Sequence, residues 1–130
     1  MVPRSHPLAR RRSARLKDLN GSRIVVPPVG RPHREMLARM LQSAGVAWEV
    51  AVEASGWELM IQFVSLGIGV AVVNGCCNIP RGLVAIPLGE LPAIRFHAFH
   101  IKGQAGEGEL GRLRHLLVEY GDHWSKARSR

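Results

Sequence analysis

Small, donor-rich residues gather at three places in the sequence: Val29-Gly30-Arg31, Ser55-Gly56 and Asn74-Gly75. Each run offers backbone amides that no bulky side chain covers, and together they add a hydroxyl, a guanidinium and a carboxamide. Amides at the start of a helix carry unsatisfied N–H groups and the positive end of the helix dipole, so such a set suits an anion, typically a carboxylate. The expected donors are the amides of Gly56 and Trp57 and the Ser55 hydroxyl, with Arg31 as charged partner. Ser55 also has a competing structural use. With Glu58 behind it, the serine has capping-box spacing, in which the hydroxyl is occupied by an amide of its own helix.

No residues are spaced for catalysis, and the chain is not expected to be an enzyme. His97 and His100 fall on opposite faces of an expected strand and cannot chelate one metal. Neither H-E-x-x-H, a Walker A motif nor G-x-S-x-G occurs. Gly67-Ile68-Gly69 precedes an apolar run, whereas a dinucleotide fingerprint follows a strand. The histidines read as surface or hydrogen-bonded residues. Cys76 and Cys77 are adjacent, so a bridge between them would close a strained ring, and no zinc spacing is present. They are expected as a loop or buried thiol pair, with no metal and no cofactor.

The elements that must position the three donor runs can be read from periodicity. Arg23–Val26 is a short apolar strand ended by Pro27 and Pro28, and Pro32 then starts a helix to Ser43 with Met36, Leu37, Met40, Leu41 and Ala44 inward. Gly45 stops it. Val46 to Glu53 alternates as a strand with Val46, Trp48, Val50 and Val52 on one face. A second helix, Gly56–Leu66, buries Leu59, Met60, Phe63 and Val64, and Gly67 ends it. Val70–Val73 is all apolar, as in a strand covered on both faces inside a parallel sheet. Strand and helix alternate, so right-handed crossovers build a parallel sheet with helices on both faces, an α/β fold. The donor runs then sit beyond the carboxyl ends of its strands, where open α/β sheets bind ligands. Leu83 to Leu88 is a short extended segment, Ile94–Lys102 an alternating strand, and a last helix from about Glu107 carries Leu110, Leu113, Leu117, Tyr120 and Trp124.

The run Val64-Ser65-Leu66-Gly67-Ile68-Gly69, then Val70 to Val73, resembles the effector-binding domain of LysR-type bacterial transcriptional regulators. Ser5-His6-Pro7-Leu8-Ala9, Leu16-Lys17-Asp18-Leu19 and Pro80-Arg81-Gly82-Leu83-Val84 with Ile86-Pro87-Leu88 resemble further stretches of that family. One position departs: the family usually closes the strand with Pro, where this chain has Asn74. The resemblance implies a type 2 periplasmic-binding-protein-like lobe plus part of a second lobe. Residues 1–19 would be a remnant of the first lobe, 20–92 the second lobe, and 93–130 the strand and helix returning to the first. It also implies a small organic, anionic effector in the cleft between lobes, contacted by Val29, Gly30, Arg31, Ser55, Gly56, Asn74 and Gly75. DNA would be bound only through a helix-turn-helix domain that this chain lacks, and the full-length parent would be a homo-oligomer.

The length, 130 residues, suits one domain or a piece of a larger one, and the apolar fraction, 46%, allows a core. No apolar run is long enough for a membrane span and no signal peptide is evident, so the expected location is cytoplasmic. The net charge of +8 is concentrated at the ends, with Arg4, Arg10, Arg11, Arg12, Arg15 and Lys17 at the start. This start reads as a solvated, partly disordered flank able at most to touch phosphates without specificity. Two other readings remain at this point: a stand-alone small-molecule-binding domain of periplasmic-binding-like fold, and a non-functional truncated remnant.

Overall fold

The computed structural model describes residues 1–92, 94–99, 101 and 108–128. It divides into two compact units, Met1–Ile94 and Arg95–Arg130. The first contains strands β1 (Val2–Pro3), β2 (Ser22–Val26), β3 (Trp48–Glu53), β4 (Val70–Ala71) and β5 (Leu83–Val84), with helices α1 (Pro32–Ser43) and α2 (Trp57–Ser65). β2, β3 and β4 form a parallel sheet in the order β3-β2-β4.

Side chains of β2 alternate, and this places the helices. Ile24 and Val26 share one core with Leu37 and Leu41 of α1, whereas Val25 shares another with Met60, Ile61 and Val64 of α2. The two helices therefore cover opposite faces of the sheet, as a strand–helix–strand–helix–strand sequence requires. Each fully buried Leu or Ile stabilises the fold by about 1.5–3 kcal/mol.

Both helices stop in the same way. Gly45 takes φ 65° and Gly67 φ 73°. At α1 the amides of Gly45 and Val46 donate to the carbonyls of Gln42 and Leu41, and at α2 those of Gly67 and Ile68 donate to Val64 and Phe63. These are Schellman motifs, which satisfy the last carbonyls only if the residue past the cap is left-handed. Gly69 answers a different need. A Cβ there would lie 2.5 Å from the Arg23 carbonyl oxygen and 3.0 Å from the Ala51 side chain, so only glycine lets β4 enter the sheet.

Several sequence expectations change in the structure. β3 starts at Trp48 rather than Val46, whose amide is taken by the α1 cap. Its alternation is broken by a register shift: Ile24 faces Val50 but Val25 faces Val52, skipping Ala51. Ala51 and Val52 therefore both adjoin the α2 core and Val50 is 43% exposed. On α2 the buried set is Met60, Ile61 and Val64, and Leu59 is exposed, because the helix begins one residue later than the capping-box spacing suggested. β4 is covered on both faces, Val70 by one core and Ala71 by the other, yet it stands at the sheet's edge. Burial on both faces comes from the helices and needs no second neighbour in the plane. The outer side of β4 is instead closed by Met1, whose carbonyl accepts from the Ala71 amide at 3.1 Å and whose amine donates to the Ala71 carbonyl at 2.8 Å.

The arginine-rich start is built into the fold rather than disordered. Val2, Leu8, Leu16 and Leu19 are buried, the latter three on the single-turn 3-10 helices Pro7–Arg10 and Leu16–Leu19. β1 pairs antiparallel with β5, and Asp18 accepts from the Arg15 amide while pairing with Arg11 at 2.7 Å. The Leu16 amide donates to the Glu90 carboxylate. Apolar residues spaced between the arginines do this packing, and charge density alone hid them.

In the second unit, α3 (Gly108–Arg128) forms close to where the acidic residues placed it. Leu110, Leu113, Leu117 and Tyr120 on it are exposed. The side chain of Trp124 lies outside the described residues. The expected strand Ile94–Lys102 does not form at its described positions, 94–99 and 101. A strand needs a hydrogen-bonded neighbour, and positions 94–99 belong to neither sheet. His97 instead lies against Phe99, ring centroids 6.2 Å apart. His100 and Lys102 lie outside the described residues.

Candidate functional site

The carboxyl ends of the parallel strands lead into the loops that start α1 and α2 and into the turn after β4. The clearest feature there is His33, in the first turn of α1. Its Nε2 lies 2.9 Å from the Val72 carbonyl just past β4, and its ring meets Trp57, the first residue of α2, edge-on at 4.8 Å and 85°. The carbonyl can only accept, so Nε2 carries the proton. His33 thus ties together the start of α1, the start of α2 and the end of β4. Its Nδ1 is buried without a partner. Burial holds the imidazole below its usual pKa, against the opposing pull of the hydrogen bond to Val72, so the ring is neutral near pH 7. Sequence reading left His33 among surface or hydrogen-bonded histidines and missed this position. The available signal was its place directly after Pro32 at the start of a helix that follows a strand.

The residues singled out in the sequence fall at these same strand ends, in the following states. Val29, Gly30 and Arg31 are exposed, in the loop between β2 and α1, which is closed by the Arg31 amide donating to the Pro28 carbonyl at 3.3 Å. Arg31 is the N-cap of α1, without a side-chain capping bond. The Gly30 amide is already occupied: it donates to the Glu35 carboxylate at 3.2 Å. Arg34 lies over the Trp48 ring at 4.8 Å, a cation–π contact, and its Nη1 is buried with no hydrogen-bond partner.

At α2 the capping box does not form. The N-cap is Gly56, at φ 89° and ψ 142°, with no side-chain capping bond, and Ser55 is exposed. β3 still pairs at Ala54, whose amide donates to the Val26 carbonyl at 2.9 Å, so the chain turns only at Gly56. Glu58 then falls at the second helical position, out of reach of the reciprocal bond. The Ser55 hydroxyl is thereby released from capping. Asn74 is half-buried and Gly75 exposed, in the turn after β4 that the Cys77 amide closes on the Asn74 carbonyl at 3.1 Å. The structure brings the loop and helix starts to one end of the sheet and links α1, α2 and β4 through His33; no hydrogen bond or ion pair joins Arg31, Ser55 and Asn74 to one another.

Among the described residues, no three His, Cys, Asp or Glu side chains are grouped to hold a metal ion. Cys76 and Cys77 are free thiols. No described helix is long and apolar enough to cross a membrane.

An open parallel sheet with helices on both faces defines an α/β lobe. The chain belongs to the family of the LysR substrate binding domain, whose model matches residues 1–122. It is 33% identical over 98 residues to the transcriptional dual regulator GltC of Bacillus subtilis strain 168, a stretch that covers 73% of this chain and 32% of that protein. In fold it is similar to HinK, a LysR family transcriptional regulator from Pseudomonas aeruginosa, with a TM-score of 0.58 at 20% identity, covering 70% of this chain and 32% of HinK. The chain thus spans about a third of the length of these relatives. The mixed α/β architecture with a parallel sheet and the family together give a periplasmic-binding-like fold and the effector-binding part of a LysR-type transcriptional regulator.

Proposed function

We propose that this effector-binding domain senses a small carboxylate-bearing metabolite in a crevice at the strand ends, without catalysing a reaction on it. Val29, Gly30, Arg31, Ser55, Gly56, Asn74 and Gly75 would line the site, with the Gly56 and Trp57 amides and the Ser55 hydroxyl as donors and Arg31 as countercharge. The observation that carries the reading is the His33 link, which joins the start of α1, the start of α2 and the end of β4. Release of Ser55 from helix capping supports it further, because the hydroxyl is not occupied by its own helix. The Gly30 amide is withdrawn from the donor set by Glu35, so recognition rests more heavily on α2 and Arg31.

On this reading residues 20–92 are the sensing lobe, into whose core residues 1–19 also pack, and 93–130 belong with the other lobe. The protein works in the cytoplasm, and a homo-oligomeric parent supplies DNA binding. The lobe is half a cleft, so the decisive experiment uses a full-length parent. A charge-assisted hydrogen bond lost from such a site costs about 1.5–3 kcal/mol, roughly ten- to a hundredfold in affinity. Ser55→Ala and Arg31→Ala are each expected to weaken the effector response by that factor while operator binding stays intact. Unchanged responses in both variants would move the site elsewhere.

A further inference from the structure

Cys76 and Cys77 lie in the turn that follows Asn74 and Gly75. Cys76 is exposed, and Cys77 is half-buried against the α2 core cluster. Both are free thiols, carried by consecutive residues. We propose that this vicinal pair is a dithiol site for a thiophilic trivalent semimetal centre bearing two displaceable oxygen ligands, such as an organoarsenical.

The argument begins with reach. Consecutive Cα atoms across a trans peptide are about 3.8 Å apart, below the range of about 4.4–6.8 Å that disulfides occupy. A direct sulfur–sulfur bond of about 2.05 Å strains such a pair. A bridging atom removes that constraint, since it places two bonds, each about 2.3 Å in a metal thiolate, between the sulfurs. Free thiols on consecutive residues, one exposed and one half-buried, suit a bridge of this kind. No third protein ligand joins them: among the described residues no group of three His, Cys, Asp or Glu side chains could hold a metal ion. A centre that keeps its own third substituent needs only the two sulfurs.

The reaction balances without an added oxidant or base. An organoarsonous acid, R–As(OH)2, loses two As–O bonds and the thiols two S–H bonds; two As–S bonds and two molecules of water form. Arsenic stays trivalent. Protonated thiols serve, because their protons leave with the departing oxygens. Burial, with help from Cys76 and Glu58, pushes the Cys77 thiol above its ordinary pKa. That direction disfavours a thiolate-driven peroxide sensor but leaves this condensation open.

The test uses the full chain and phenylarsine oxide, read by intact-protein mass spectrometry. One phenylarsenic group per chain is expected to persist in excess 2-mercaptoethanol and to be released by 2,3-dimercaptopropanol. The second As–S bond is intramolecular, so Cys76→Ser and Cys77→Ser should each lower retention against the monothiol by about 10²–10⁴-fold. Cys77 touches the core, so Cys77→Ala is measured beside Cys77→Ser, and circular dichroism confirms which variants are folded. Three results would each overturn the proposal: no adduct on the reduced wild-type chain, equal retention by a folded single-cysteine variant, or an intramolecular disulfide in place of the adduct.

Discussion

Replacing His33 with alanine removes two contacts at once. The Val72 carbonyl loses its donor and Trp57 loses its edge-on partner. A buried acceptor left unpaired costs about 1–3 kcal/mol, and Val72 is only half-buried, so water recovers part of this and the lower end applies. The aromatic contact adds about 0.5–1.5 kcal/mol. Alanine returns about 0.5 kcal/mol through its higher helix propensity. The expected net loss is about 1–2 kcal/mol. Urea unfolding followed by circular dichroism at neutral pH measures it as a fall in midpoint with unchanged slope. A loss below about 0.5 kcal/mol, the range of ordinary surface substitutions, would mean that His33 does not hold the helix starts and β4 together. His33→Gln separates the hydrogen bond from the titration. Burial lowers the folded pKa of His33 beneath its unfolded value of 6.5, so the unfolded chain takes up the proton first as pH falls. The His33 contribution to stability should therefore decline as pH drops below about 6.5 and level off above it. The Met1 amine, lowered by burial from 8.0 to about 6, and His6 slope the same way. The His33 share is thus the difference between wild type and His33→Gln, and identical pH profiles for the two would refute the assignment.

Other substitutions test the rest of the frame. Gly69→Ala drives a methyl group against the Arg23 carbonyl and should cost about 1–3 kcal/mol or prevent folding, visible in thermal unfolding. Leu41→Ala, in a fully buried position, should cost about 2–5 kcal/mol, whereas Leu113→Ala on the exposed face of α3 should stay within about 0.5 kcal/mol in this chain. Glu35→Gln frees the Gly30 amide from a charged acceptor; carboxylate titrations of the full-length parent should show tighter binding, and weaker binding would argue against an anion at this place. This chain alone should shift any duplex only weakly and in a salt-dependent way; preference for one operator over scrambled DNA at physiological salt would contradict that expectation.

How legible each part was depended on whether the deciding forces were local. Pro32 to Ser43 was readable to the residue, because a proline that fits only the first turn and a glycine that fits only beyond the last mark both ends. The two starts of α2 differ by one residue because Ser55 and Gly56 are both acceptable caps locally. The pairing of Ala54 with Val26, a contact between strands, settled it. That single step also exchanged Leu59 for Ile61 in the core.

By itself, the sequence determined the order of β2, α1, β3, α2 and β4, the parallel pairing of these strands and the placement of donor-rich residues at their ends. Periodicity, proline and glycine act through neighbours along the chain, and right-handed crossovers leave few ways to arrange what they specify. Tertiary structure alone decided the rest. The register shift at Ala51 follows from β2 and β3 meeting, and the closure of β4 by Met1 joins residues 70 positions apart in the chain. His33 depends on this most. Nothing in its neighbours shows that its ring will reach Val72 and Trp57, because those distances exist only after both helices have docked on opposite faces of the sheet.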